Sequence, residues 1–372
     1  MRDQSDSGMT DELTDLESRV VSGALWREFC DLLVQAGDVV TGPGRPDDVL
    51  DRTEGFRMLT RLLRGALETY LEHADPAHPE LVCTCHETIK VVAENPDNLY
   101  LGASIDGRRE YRIWGTRGDA RWISFNTFAG GGFGAGGPGT GTTLHEDQID
   151  FAPDGSFEVI LSEREQPGTW LPIVADTKSV TIRQTFARKG TDRPAELHIA
   201  LIDSDGAPPA PLRAEKLTRA LLTCGHYVRA VAEMGASWAE RASTAPNEWV
   251  DQETETVAFK DPQITYHQAY FSISPDEALV VEFTPPPCEY WMIALHNFWM
   301  ETLDYTHHTI TLNNHTADVE PDGSVRCVIA MRDPRTPNWL DSAGHRHGLV
   351  GVRWVGDDVP DVLPSSHLIR LD

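Results

Sequence analysis

No apolar run in this 372-residue chain approaches the roughly 20 residues that a helix needs to cross a bilayer. The longest, Tyr290 to Leu295, has the size of a strand. Basic residues are scarce: 32 Lys and Arg face 58 Asp and Glu, for a net charge of −26. That potential repels phosphate backbones and anionic lipid, which excludes nucleic acid and membrane surfaces as partners. Cysteine is sparse, and Cys30, Cys83, Cys85, Cys224, Cys288 and Cys327 have no framework spacing, so reduced, partly buried thiols are expected. The first twenty residues lack a basic stretch followed by an apolar one, which reads as no signal peptide and a cytoplasmic location.

Catalytic signatures are also missing. There is no Gly-x-Ser-x-Gly elbow and no kinase loop. The glycine run Ala129 to Thr143 contains no lysine, and no helical pattern follows it, so it does not fit a phosphate loop. It reads as a linker or a flap whose apolar tip is Phe133. Cys83-Thr84-Cys85-His86 has one residue between its cysteines and no partner pair downstream, which fits packing on a helical turn better than a zinc clip. The cupin metal motif, His-x-His with a following glutamate and a later histidine, does not occur. No cofactor and no metal are assigned.

Helical spacing is present at the start. Leu13 to Ala36 and Phe56 to Leu71 carry broad apolar stripes, separated by Thr41 to Asp48. From Asn98 the apolar period becomes two, in six short runs divided by turns such as Ile105-Asp106-Gly107 and Pro153-Asp154-Gly155. Leu212 to Ala242 returns to helical spacing, as a connector or a plug on a sheet face. Strand patterns resume near Asn247, at Ile264–Ile273, Ala278–Phe283, Tyr290–Trp299, His308–Asn313, Val325–Met331 and Leu349–Val355, with Pro321-Asp322-Gly323 read as a hairpin turn. The expected fold is mainly β with α (α+β). A helical segment (1–94) precedes a first antiparallel sandwich or jelly-roll block (95–208), a connecting helix (209–246) and a C-terminal sandwich (247–372). No internal sequence repeat stands out between the two β blocks.

Chemistry concentrates toward the C-terminus, which holds eight of the 14 histidines from His267 onward. The segment Arg332 to Trp354, RDPRTPNWLDSAGHRHGLVGVRW, is rich in turn residues, and loops of that kind often carry function. Within it His345 is the candidate proton carrier, with Asp341 to orient its ring. Tyr305 is a candidate hydroxyl donor, and His296 the reserve on the neighbouring strand. Asn338, Trp339, Trp299 and Phe133 are candidate substrate contacts. A structural turn serves as the alternative for the whole loop, with Trp339 plugging the core. A two-histidine, one-carboxylate iron site stays open from residues distant in sequence.

Together with YWMIALHNFWMETLDY (Tyr290 to Tyr305), and more weakly with Asn95 to Tyr100, this loop resembles the bacterial family called domain of unknown function 1214, over about the last third of the chain. The resemblance implies a β-rich domain with a shared site and brings no agreed chemistry. Ten tryptophans suggest an aromatic-lined cavity for a small hydrophobic or aromatic molecule. The functional expectation is acid–base catalysis by a lyase, isomerase, cyclase or hydrolase. A non-catalytic binding or assembly protein and a haem- or iron-dependent oxygenase are the alternatives, and self-association is left open.

Overall fold

Period-two runs become strands, and consecutive runs alternate between two sheets instead of pairing as hairpins. In the computed structural model, which describes residues 15–130, 141–250 and 263–371, the first block is a two-sheet sandwich. One sheet contains β1 (Val82–Cys85), β2 (Asn98–Ser104), β4 (Trp122–Ala129), β5 (Thr143–His145) and β8 (Thr177–Thr185), in the order β1-β2-β8-β4-β5. Facing it are β3 (Tyr111–Thr116), β6 (Ser156–Ser162), β7 (Trp170–Pro172) and β9 (Glu196–Leu201), ordered β7-β6-β3-β9. Ile113, Phe125, Val159, Val180 and Ile182 fill the space between the sheets. The Cys83–His86 segment is therefore extended in β1, because Cys83 and Cys85 pair with β2 across a bulge.

The second block repeats this plan. Its larger sheet holds β10 (Trp249–Val250), β11 (Ile264–Ser272), β13 (Tyr290–His296), β14 (Thr311–Asn313) and β17 (His347–Val355), ordered β10-β11-β17-β13-β14. Its smaller sheet holds β12 (Glu277–Phe283), β15 (Val325–Ala330), β16 (Trp339–Asp341) and β18 (Ser365–Arg370), ordered β16-β15-β12-β18. Phe271, Leu279, Val281, Ile293, Cys327 and Val352 form its core. The two sandwiches thus follow one strand path twice.

That path exposes short repeats. Pro153-Asp154-Gly155-Ser156 enters β6 as Pro321-Asp322-Gly323-Ser324 enters β15. Trp170 and Trp339 begin equivalent edge strands, and each indole Nε1 donates to a carbonyl on the neighbouring strand, Ser162 at 3.1 Å and Ala330 at 3.2 Å. The Pro-Asp-Gly turns are tight but are not hairpins, since β14 and β15 lie in different sheets. Both edge strands also run parallel to their neighbours, unlike the purely antiparallel pairing expected, because the chain doubles back through a loop before rejoining the edge.

Three helices cover the outer face of the second sandwich's larger sheet: α1 (Ala24–Thr41), α2 (Val49–Leu67) and α3 (Ala214–Ala242). Helix α2 starts earlier than its apolar stripe because the Asp48 carboxylate caps it, accepting from the Asp51 N–H at 3.0 Å. Ala232, Ala236 and Ala239 are fully buried, which lets α3 approach closely and makes it the plug of that sheet face. Gly235 has the same purpose: a Cβ there would sit 2.9 Å from the Trp299 carbonyl oxygen. Among the described residues no helix is long and apolar enough to cross a membrane.

Candidate functional site

The duplicated sheets turn one face inward, each onto its own sandwich core, and the other toward each other. In the first block Gly102, Ser104, Ser124, Ser179, Thr181 and Arg183 face outward beside the aromatic Tyr100, Trp122 and Phe128. From the second block come Tyr266, Tyr290, Met292, His296, Gly351 and Arg353. With α2 and α3 they enclose a cavity of about 350 Å³, walled mainly by apolar atoms. Concave apolar space with few polar groups is how small-molecule sites are built.

Duplication places two arginines in this space. Val180-Thr181-Ile182-Arg183 on β8 matches Val350-Gly351-Val352-Arg353 on β17. Each arginine pairs in register with a tyrosine of the adjacent strand and lies over its ring: Arg183 over Tyr100 at 6.0 Å, Arg353 over Tyr266 at 5.2 Å. The Arg353 guanidinium also donates to the Ala93 carbonyl. No carboxylate forms an ion pair with Arg353 among the described residues. The Asp97 carboxylate feels the Arg353 charge without pairing with it, and a half-buried cation in an apolar cavity without a direct ion pair favours an anion brought by a ligand.

His296 lies on the same sheet face. It is fully buried and neither ring nitrogen has a hydrogen-bond partner. Burial, reinforced by the Arg353 and Lys90 charges, pushes its pKa down to about 3, with the Leu349 backbone offsetting only part. The imidazole is therefore neutral at physiological pH, with a free lone pair. Gly351 makes room for it, since a Cβ there would lie 3.3 Å from His296 Cε1.

Backbone strain gathers at one wall. Val92, Ala93 and Met300 have φ of 32°, 53° and 60°, unfavourable for side chains with a Cβ. Next to them Glu94 is buried and accepts from the Thr302 hydroxyl. Desolvation raises its pKa to about 7 against the opposing pull of Lys90. The Asn95–Tyr100 motif locks this wall to both sandwiches. The Asp97 carboxylate accepts from the Tyr290 hydroxyl at 2.7 Å and from Asn313 Nδ2 at 2.8 Å, while the Tyr100 hydroxyl accepts from the Asn95 N–H at 3.0 Å.

Of the expected site residues that are described, His296 alone lines the cavity. Trp299 is buried under α2, donating from Nε1 to the Asp51 carbonyl. Trp339 packs on Val328 and Ala330 at the sheet edge. Asn338, at φ 55°, clamps a loop through the Asp318 backbone. Tyr305 lies between Lys90 and Lys189, whose ammonium groups are 5.0 and 5.3 Å from its ring centre. Phe133 lies outside the described residues.

Asp341 does not orient His345. Its carboxylate is 2.7 Å from His308 Nδ1, because the Ser342–Gly344 turn carries His345 to the opposite side. Asp341→Asn is accordingly expected to change stability by no more than about 1 kcal/mol, checked by urea unfolding, as befits a half-exposed pair. His345 is buried against α2, with Nδ1 3.5 Å from Asp51 Oδ1 and Nε2 3.7 Å from Glu54 Oε2. His347 joins it from β17, its Nε2 3.2 Å from Asp51 Oδ2. Burial raises the Asp51 pKa. The aspartates were not legible as site residues, since Asp48 closes the break between the two apolar stripes and Asp51 precedes the second of them. Arg353 carried a signal that was passed over, the repeated Val-x-Ile/Val-Arg.

A scan of family models and a search of curated proteins each gave no match. Among solved structures, an uncharacterised protein from Burkholderia cenocepacia is 39% identical, over 95% of this chain and 99% of that one, with a TM-score of 0.90. A protein from Vibrio parahaemolyticus is 11% identical over 91% of this chain and 100% of that one, with a TM-score of 0.49.

Proposed function

The chain belongs to the family of that Burkholderia cenocepacia protein, and from this premise we propose that it binds and transforms a small apolar molecule bearing an anionic group, in the cavity between its two sandwiches. The observation that carries the reading is the pairing of Arg353, a half-buried cation with no carboxylate partner among the described residues, with His296, a buried neutral imidazole whose nitrogens are both free. Arg353 holds the anion and fixes the ligand's direction. His296, held neutral, hydrogen-bonds the reacting group, and Glu94, titrating at about 7, is the proton carrier on the wall. The reaction is thereby of the acid–base type, a lyase, isomerase or hydrolase step.

The test is calorimetry with aromatic and medium-chain carboxylates, each beside its uncharged amide, followed by product analysis. Carboxylates are expected to bind and amides not. Arg353→Gln should weaken carboxylate binding about 10- to 100-fold, the value of a charge-assisted hydrogen bond. Equal binding of acid and amide, or an unchanged affinity in Arg353→Gln, would remove the anion from the reading. His296→Gln should retain binding and lose turnover; unchanged turnover would remove His296.

A further inference from the structure

A second cluster lies where α2 meets the end of β17, apart from the residues that line the cavity. Asp48 and Asp51, at the start of the helix, and His347, at the start of the strand, each present one ligand atom, all within 4.8 Å of one another. His347 Nε2 is 3.2 Å from Asp51 and 3.8 Å from Asp48. We propose that these three side chains hold a divalent transition metal ion, of the zinc class, with His345 bordering the site.

Three observations support it. The spacing is right: ligands about 2.1 Å from a tetrahedral ion stand about 3.4 Å apart. The two aspartates have only histidines as ion-pair partners, and no Lys or Arg neutralises them among the described residues. The α2 N-terminus accounts for one capping carboxylate. It does not account for Asp51 Oδ1 and His345 Nδ1, both buried, which face each other at 3.5 Å without a regular hydrogen bond. Side chains exposed by only 2% and 3% do not leave polar atoms unsatisfied without reason.

The surroundings also match a ligating imidazole. His347 Nδ1 is 2.9 Å from the Tyr270 hydroxyl, and the two rings stack at 17°. The Tyr270 hydroxyl can accept from Nδ1–H, which leaves Nε2 free to ligate, the usual outer contact of a metal-bound histidine. In that tautomer the Nε2 lone pair faces two carboxylates unless an ion lies between them. The donor set of imidazole and carboxylate suits zinc, manganese or iron rather than copper(I), which prefers sulfur. The first sandwich lacks the feature, since Thr177 begins its equivalent strand β8. The histidines belong only to the copy on which the helices dock.

The experiment uses untagged full-length protein stripped with a chelator and dialysed against zinc, with the metal content measured by atomic absorption. One zinc per chain is expected in the wild type, with a rise in Tm. His347→Gln and Asp51→Asn should each lower the content at least tenfold while circular dichroism and gel filtration stay native. Should Asp51→Asn fail to fold, His347→Gln decides alone. Cobalt substitution should give visible bands without the thiolate charge-transfer absorption that cysteine ligation would produce. Wild-type protein without zinc, variants that retain it, or a thiolate signature would each overturn the site.

Discussion

Trp299→Ala is expected to lower the unfolding free energy by roughly 3–5 kcal/mol, the range for removing a fully buried large aromatic. The indole is 2% exposed, and its Nε1 donates to the Asp51 carbonyl at 2.6 Å. It also fills the gap left by Gly55 on α2, where a Cβ would lie 2.7 Å from Trp299 Cε2. Removing it opens a cavity under the helix layer and leaves a buried carbonyl without its donor, two costs that add. Gly55→Ala should destabilise through the opposite fault, a clash with the same ring. Urea unfolding of the three proteins checks this. A loss below about 1 kcal/mol for Trp299→Ala would mean that the indole wall is not what fixes α2 to the second sandwich. A substrate contact, the expectation from sequence, would show the reverse: weakened binding at near-native stability.

The contrast between Trp299 and His296 shows what sequence can and cannot place. The period-two pattern around Tyr290–His296 correctly makes a strand, and His296 shares a face with Met292 as expected. The same pattern carried the strand on to Trp299, yet β13 ends at His296 and Met300 adopts φ 60°. A turn of that kind depends on tertiary partners, here Ala93 N–H on the Met300 carbonyl and α2 above, and leaves no local signature. The fold class was legible because it needs only apolar period and turn residues. The duplication was not, because the two sandwiches share a strand path while few side chains agree. Asp341 and His345 are four residues apart, which suggested a pair. The turn between them sends one to His308 and the other to Asp51 across the helix interface. Only the docking of residues 48–54 onto residues 345–347 brings that second group together, and such distant contacts have no spacing to read.

His296 should make the protein selectively sensitive to acid. Its folded pKa of about 3 lies below the 6.5 of an unfolded histidine. Between those values the unfolded chain binds a proton that the folded chain refuses, so this residue's contribution to stability is complete above pH 6.5 and is lost as pH falls toward 3. The full difference corresponds to roughly 5 kcal/mol. Glu94 works in the opposite direction. Its folded pKa of about 7 exceeds the 4.5 of an ordinary glutamate, so the folded state binds the extra proton, and stability from this group rises as pH falls from 7 to 4.5. The two slopes nearly cancel in the wild type across much of that window, which would hide both in a single acid titration. Removing one exposes the other. His296→Gln, which cannot ionise, should gain about 2 kcal/mol relative to wild type between pH 7 and pH 5, and Glu94→Gln should lose a similar amount over the same range. Urea unfolding at each pH measures both. Parallel profiles for wild type and His296→Gln would show that the imidazole titrates normally, and with that the argument for a neutral imidazole in the cavity would fail. Divergent profiles would establish that the fold holds His296 uncharged at the pH where the cavity's proton transfer is proposed to occur.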